Sequence, residues 1–212
     1  FFFSEIKPRI QIAHTLAEML SRIDLVREQI RLEAGEPLAY RQEDVVRRGH
    51  AIMCRVQAED PLNHYLPTPG HLRQVRLPGG AEVRVDTYVY SGADVPPYYD
   101  PLVAKVTVWG ADRPAAVTRM RRALEDLGLM GTPTNLPLLV RVLRDPAFVA
   151  GRYSTDLLSR LSAEVTEPDF ERVRRDLAAA VAVLYTRRRE SFTAQSPDVW
   201  ATGWHRSSRQ LG

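Results

Sequence analysis

Residues 49–60 read GHAIMCRVQAED, and the way this stretch must lie decides the fold. Ala51, Ile52, Met53, Cys54 and Val56 form an apolar, strand-like run with Arg55 alone inside it. A guanidinium in such a run is costly unless its head reaches solvent, a carboxylate or a cavity. Taken alone, the stretch reads as a sheet arginine whose head escapes to solvent or meets a structural carboxylate. Downstream, HLRQVRL (71–77) alternates polar and apolar residues, Pro78-Gly79-Gly80 marks a turn, and VRVDTYVY (83–90) alternates again. Consecutive hairpin-like strands predict an antiparallel sheet over about residues 49–109 rather than a doubly wound parallel one. DPLVAKVTVWG (100–110) follows as a mostly buried strand carrying a lone Lys105. Asp100 ends a loop stiffened by Pro96 and Pro97, and by itself suggests a structural ion pair with Lys105.

Helical periods surround this sheet, so the predicted class is α+β. Asp112 is a plausible N-cap, Pro114 sits in the first turn, and Val117, Met120, Leu124 and Leu127 recur on one face. These predict a helix over 112–128, stopped by Gly128. Two shorter helices are predicted over 134–143, behind the capping side chains of Thr134 and Asn135, and over 154–161. At the other end, FFFSEI (1–6) reads as a short buried strand. Arg9, Gln11 and Ala13 then alternate with Ile10 and Ile12, which puts Arg9 and Gln11 on one face. Leu16, Met19 and Leu20 suggest a first helix; Ile23, Val26 and Ile30 suggest a second, closed by Gly35 and Pro37. Beyond Glu164, a capping box at Thr166–Asp169 opens a long amphipathic helix to about Arg189. Its narrow stripe of Phe170, Val173, Leu177, Val181 and Leu184 needs a partner.

Composition narrows the function classes. The 212 residues are 44% hydrophobic and 26% charged, ordinary for a soluble globular protein. A net charge of +3 with scattered arginines does not argue for nucleic acid. One cysteine, Cys54, excludes an intrachain disulfide and an all-cysteine metal cage, and suits a reducing, cytoplasmic setting. No apolar run approaches the roughly 20 residues that a membrane span needs. The histidines at 14, 50, 64, 71 and 205 show no metal-ligand spacing, which leaves a metal-dependent hydrolase little support. No glycine-rich phosphate loop is present. The abrupt FFFSEI opening, without methionine or signal-peptide pattern, reads as a piece of a longer protein.

AEDPLNHYLPTPGHLRQV (58–75) and VPPYYDPLVAKV (95–106), together with EIKPRIQIAHT (5–15) and DLVREQIRLEAGEPL (24–38), resemble the C-terminal part of the biotin carboxylase component of biotin-dependent carboxylases. The resemblance implies that residues 1–48 end an ATP-grasp region and residues 49–162 form the biotin carboxylase C-terminal domain. In 163–212 the long helix and the Trp200–Trp204 stretch look like the start of the linking domain of an acyl-CoA carboxylase alpha subunit. It implies a ligase of fatty acid metabolism that carboxylates carrier-bound biotin with bicarbonate and ATP. Its cofactors would be magnesium (or manganese) with ATP, and biotin on a carrier outside this chain.

The resemblance also assigns residues. Glu5 would ligand the magnesium on ATP, Arg9 would clamp bicarbonate, and Gln11 with the Ile12 backbone would line the bicarbonate pocket. Arg55 would stabilise charge on the ureido oxygen of biotin, with Asp100 in support. Arg84 would lie in a homodimer contact. Further partners would be the biotin carrier domain and a carboxyltransferase subunit, with neither nucleic acid nor membrane. Two positions depart from the pattern: Lys7 replaces an asparagine, and Ala13 replaces the glutamate that serves as general base. A methyl group accepts no proton. An alternative reading is therefore a catalytically degenerate biotin carboxylase-like module acting in dimerisation or carboxylase assembly.

Overall fold

The 49–60 stretch forms a strand over His50–Gln57, entered through Gly49 at φ 65°. A Cβ at Gly49 would lie 2.4 Å from the Gly110 carbonyl oxygen, so only glycine lets the strand start this close to its neighbour. The computed structural model describes residues 2–163 and 177–186. Its first elements are α1 (His14–Ser21), α2 (Leu25–Glu33), a 3-10 turn (Gln42–Asp44) and β1 (His50–Gln57). There follow β2 (Glu59–Asp60), β3 (Leu66–Pro67), β4 (Gly70–His71), β5 (Gln74–Arg76), β6 (Val83–Thr87), β7 (Asp94–Val95) and β8 (Leu102–Gly110). Then come α3 (Arg113–Asp126), β9 (Gly128–Met130), α4 (Leu136–Arg144), α5 (Pro146–Val149) and α6 (Leu157–Ala163).

The main sheet has the order β1-β8-β6, and every ladder among the described residues is antiparallel. The class is α+β, as the alternation predicts. Pairing of Ile52 with Val108 and of Cys54 with Val106 lines up one apolar face. Val83 and Val85 extend that face onto β6. Helix α3 covers it with Ala116, Val117, Met120, Ala123 and Leu124, all buried in one cluster. Full burial of each large side chain stabilises by about 1.5–3 kcal/mol. Burial also pushes the Cys54 thiol up to about 12, which leaves it an inert core residue.

The other face is polar and meets α1. Thr107, fully buried on β8, donates its hydroxyl to Thr15 of α1 at 2.9 Å. One turn along, the buried Glu18 carboxylate accepts from Arg84 of β6 at 2.5 Å and from the Leu25 amide at 3.0 Å, and lies 3.0 Å from His14 Nδ1. One carboxylate thus joins α1, the start of α2 and the outer strand of the sheet.

Several local expectations are corrected. Residues 2–12 form no strand and are largely exposed, although the alternation predicts one; among the described residues no ladder partner lies beside them. The expected hairpin between 71–77 and 83–90 does not pair. The first segment splits into β4 and β5, which pair with β7 and β9, while β6 pairs with β8. Lys105 pairs with Asp86 at 3.6 Å rather than with Asp100, because Asp86 is its cross-strand neighbour. Asp112 caps α3 as predicted, accepting from the Ala115 amide at 2.8 Å. Gly128 does not stop that helix, which ends at Asp126; Gly128 opens β9. Asn135 stands at the α4 N-cap but its side chain makes no cap bond. The third helix starts later than predicted, at Leu157. Residues 177–186 are helical, within the predicted long helix; the remainder of that helix and the Trp200–Trp204 stretch lie outside the described residues. No helix among the described residues is long and apolar enough to cross a membrane.

Two substitutions test this arrangement. Burial alone would raise the Glu18 pKa, but the His14 ring, the Arg84 guanidinium and the Leu25 amide outweigh it and hold the carboxyl below its ordinary value of 4.5. A depressed folded pKa means that this stability is present above about 4.5 and is lost as pH falls through the folded value. Glu18→Gln is therefore expected to lower stability at neutral pH by about 1–3 kcal/mol and to flatten the acid limb of a stability–pH curve from urea titrations. An unchanged acid limb would show that Glu18 is not the group responsible. Gly131, at φ 133°, would place a Cβ 2.0 Å from the His71 carbonyl oxygen. Gly131→Ala is expected to lower the urea midpoint, by at least the roughly 1–3 kcal/mol of a strained backbone position.

Candidate active site

Arg55 lies on β1 with an exposed side chain, directly opposite Lys105 of β8, which in turn lies opposite Asp86 of β6. Strand pairing sends these three side chains to the same face of the sheet. This is the face that carries Thr107 and meets α1. Two cations opposite each other repel by some tenths of a kcal/mol, so the position favours an anion nearby. Asp86 offsets part of that charge. Its Oδ1 accepts from Arg84 Nε at 3.0 Å, and its Oδ2 lies 3.6 Å from Lys105 Nζ. Arg84 continues to Glu18, and Glu18 to His14. A line of alternating charge therefore runs from Lys105 through Asp86 and Arg84 to Glu18, with the His14 ring against its end. Among the described residues the Arg55 guanidinium takes no hydrogen bond or ion pair, and its head reaches solvent.

The segment ahead of α1 is placed by its junction with the helix. The His14 amide donates to the Gln11 carbonyl at 2.9 Å and the Leu16 amide to the Ala13 carbonyl at 3.0 Å. Ala13 is the N-cap of α1 and supplies no side-chain bond to it. Arg9 and Gln11 are exposed, and Ile12 and Ala13 half-buried. Glu5 is exposed and forms an ion pair with Lys7 at 3.2 Å. Among the described residues no hydrogen bond or ion pair joins Arg9, Gln11 or Glu5 to Arg55, so the structure does not bring these expected site residues into one network. Among the described residues no group of three or more His, Cys, Asp or Glu side chains is placed to hold a metal. Glu5 alone offers one hard oxygen, which fits magnesium only as one member of a set completed by phosphates and water.

At the far end of β1 lie two carboxylates. Asp100 is exposed, and its Oδ1 accepts from the Leu102 amide at 2.9 Å, which starts β8. Glu59, in β2, has its pKa raised by burial and by the Asp100 charge. Tyr98 and Tyr99, next to Asp100, are among the most exposed aromatic side chains described. Arg84 is half-buried and already bonded within its own chain, and a groove of about 230 Å³ lined by Glu18, Met19, Arg22, Ile23, Asp24 and Arg84 opens beside it.

Sequence reasoning missed Glu18, Asp86, Glu59 and Asn135. Glu18 carried a faint signal, standing one helical turn from His14, and Glu59 lies in the opening stretch itself. Asn135 carried none. Its Oδ1 accepts from the Gln57 amide at 3.0 Å and its Nδ2 donates to the Arg55 carbonyl at 3.1 Å, across about 80 residues of sequence.

Comparison with known proteins supplies the family. Residues 53–160, just over half of the chain, match the biotin carboxylase C-terminal domain, and residues 1–41 match the ATP-binding domain of the carbamoyl-phosphate synthase large chain. The chain is 43% identical over 162 residues to the biotin carboxylase of Nostoc sp., covering 76% of this chain and 36% of that protein. It is 44% identical over 155 residues to a pyruvate carboxylase subunit of Methanothermobacter thermautotrophicus, covering 73% of this chain and 32% of that one. The biotin carboxylase domain dimer of Hydrogenobacter thermophilus 2-oxoglutarate carboxylase, solved with MgADP, ADP and bicarbonate, superposes with a TM-score of 0.73 at 39% identity. That match covers 76% of this chain and 36% of the solved one. The chain thus spans about a third of the length of the relatives it matches. With its sheet, its capping helix α3 and more than half its length accounted for by one family, this chain belongs to the biotin carboxylase C-terminal domain family.

Proposed function

We propose that the chain supplies the C-terminal part of a biotin carboxylase, which carboxylates carrier-bound biotin with bicarbonate at the expense of ATP. The observation that carries this reading is the match over residues 53–160, within which Arg55 presents a guanidinium that has no ion pair among the described residues, opposite Lys105. A planar, permanently charged group held there stabilises negative charge on a ureido oxygen as the adjacent nitrogen attacks. Arg9 takes the anion-clamp role toward bicarbonate, with Gln11 and the Ile12 backbone lining that pocket. Asp100 supports the site from the start of β8. Magnesium, held in part by Glu5, would supply charge neutralisation to the nucleotide phosphates. Residues 1–48 are the end of the ATP-grasp region, 49–162 the C-terminal domain, and 163–212 the start of a linking domain. The Trp200–Trp204 stretch supports an acyl-CoA carboxylase alpha subunit, with a carrier domain and a carboxyltransferase as partners in the cytoplasm. The relatives include a pyruvate and a 2-oxoglutarate carboxylase, which supports a domain that serves other acceptors as well.

Ala13 sets the expected rate. A general base contributes about 10²–10⁴-fold, so the full-length protein is expected to turn over slowly while binding ATP. Lys7 adds a cation near Arg9, which strengthens anion binding without aiding proton removal. The double substitution Lys7→Asn with Ala13→Glu is expected to raise biotin carboxylation by about 10²–10⁴-fold at saturating ATP and bicarbonate. If it gains nothing while the parent already turns over at an ordinary enzyme rate, another group is the base. If neither protein cleaves ATP in a bicarbonate- and biotin-dependent way, the functional reading falls.

Arg84 and the adjoining groove are proposed to form a symmetric dimer contact. The Hydrogenobacter relative, solved as a dimer, supports it. Sedimentation of the full-length protein at micromolar concentration is expected to show a dimer that Arg84→Glu weakens. A monomeric parent overturns the contact.

A further inference from the structure

β1 is an edge strand of the main sheet, so half of its backbone groups face away from β8. The Ala58 amide bonds to the Pro101 carbonyl at 2.8 Å, on the β8 side. Strand alternation then turns the amide and carbonyl of Gln57, and the carbonyl of Arg55, off the open edge. All three meet a single residue. Asn135 Oδ1 accepts from the Gln57 amide at 3.0 Å, Asn135 Nδ2 donates to the Arg55 carbonyl at 3.1 Å, and the Asn135 amide donates to the Gln57 carbonyl at 3.1 Å. The partners fix the amide orientation, since a backbone N–H can only donate and a carbonyl can only accept. One buried asparagine stands in for a residue of an adjoining strand.

The clamp sits where the ladder is irregular: Val56 pairs with Ala104 but Gln57 with Leu102, so Val103 is an extra residue that bulges β8 one position past Arg55. Its anchor is firm. Asn135 is 6% exposed, its carbonyl accepts the Leu139 amide as α4 begins, and α4 packs into the core through Leu136, Leu139 and Leu143. The residues just ahead of it are tied to the loop after β3. Thr132 Oγ1 donates to the Thr68 carbonyl at 2.8 Å, and Thr68 Oγ1 donates to the Pro133 carbonyl at 3.2 Å. Gly131 is pressed against His71, as its missing Cβ shows.

We propose that Asn135 is a positioning residue for the Arg55 guanidinium, an inference that rests on the biotin carboxylase reading of Arg55. The Arg55 head has no side-chain partner among the described residues, so its starting point is set by its own backbone. Asn135 holds that backbone on the carbonyl side and again two residues on. A long side chain amplifies a small rotation at its Cα, and a displacement near 1 Å at a reacting group lowers rates by as much as about 10²-fold. Asn135 touches no reacting atom, and it acts through Arg55.

The test uses the full-length protein with free biotin as the probe. Two variants serve. Asn135→Ala removes both side-chain bonds, whereas Asn135→Asp keeps volume and the acceptor for Gln57 but sets a carboxylate oxygen against the Arg55 carbonyl in place of the donor. Both are expected to lower kcat/KM for free biotin in ATP cleavage by about 10-fold or more, while bicarbonate-dependent ATP cleavage without biotin stays within about 2-fold. A merely structural role would lower both activities together, and that outcome overturns the proposal. So does an unchanged kcat/KM for biotin. Absence of biotin-dependent cleavage in both the parent and the Lys7→Asn, Ala13→Glu protein defeats the functional reading instead, and there amide exchange decides the clamp. The Gln57 amide is expected to exchange at least about 10-fold faster in Asn135→Ala, with the Cys54 amide unchanged. Equal Gln57 exchange in parent and variant overturns the clamp whatever the activity.

Discussion

The ladder between β1 and β8 is the constraint on which the remaining structure depends. It runs from His50 opposite Gly110 to Gln57 opposite Leu102 and fixes which side chains share a face. A slip of one residue would turn Ile52, Cys54 and Val56 toward α1 and send Arg55 into the cluster under α3. That alternative would bury an unpaired guanidinium among Val106, Val108 and Met120, at several kcal/mol. The same residue that does chemistry in the proposed reaction therefore also enforces the register. Gly49 allows the close start of the ladder, Gly110 the close approach of α3 to its end of β8, and the extra residue Val103 marks the ladder's other end.

The two faces of this sheet do different work. The α3 face is apolar and closes like any core. The α1 face keeps Lys105, Asp86 and Arg84, with Glu18 and Thr15 arriving from the helix to pair with what the sheet presents. Buried ionic groups of this kind add little net stability against an apolar alternative, because desolvation offsets the attraction. Their arrangement is better understood as a means of holding cations in fixed places beside an exposed Arg55. Removing one member leaves the others unpaired, so the network is intolerant of single changes even though its net contribution is modest.

The sequence made visible what is local. Arg55 in an apolar run, the Asp112 cap and the Val117–Leu124 stripe each lie within a few residues of their consequence, and each led to the observed element. Turn signals located the strands but not their partners: Pro78-Gly79-Gly80 reads as a hairpin turn, yet β5 pairs with β9 more than 50 residues on. The polar residues that organise the site act across long separations. Glu18 meets Arg84, Thr15 meets Thr107, and Asn135 meets Arg55, and periodicity has no term for such pairs. Asn135 shows the difficulty sharply. A position before a helix predicts a cap, and the side chain turns instead to a strand edge that needs it more. Alternation in residues 7–13 misled for a complementary reason, since a strand requires a neighbour to complete its hydrogen bonds and period alone does not supply one.

Ala13 is best understood from what holds the residues after it. His14 lies against Glu18, and Thr15 is bonded to Thr107 on the central strand, so the backbone at Ala13 is fixed within two residues of the sheet. Its φ of −82° and ψ of 6° are open to any residue, and Ala13 makes no side-chain cap bond. Ala13 is half-buried, so its side chain is not enclosed by the core. A carboxylate there would also lie at the N-terminus of α1, where the helix dipole favours negative charge by about 0.3–1 kcal/mol. Neither the backbone nor the helix end therefore demands alanine there. In the proposed reaction, what alanine leaves out is a proton acceptor at a defined place, while the strand that carries Arg55 and the bonds of Asn135 behind it are in place.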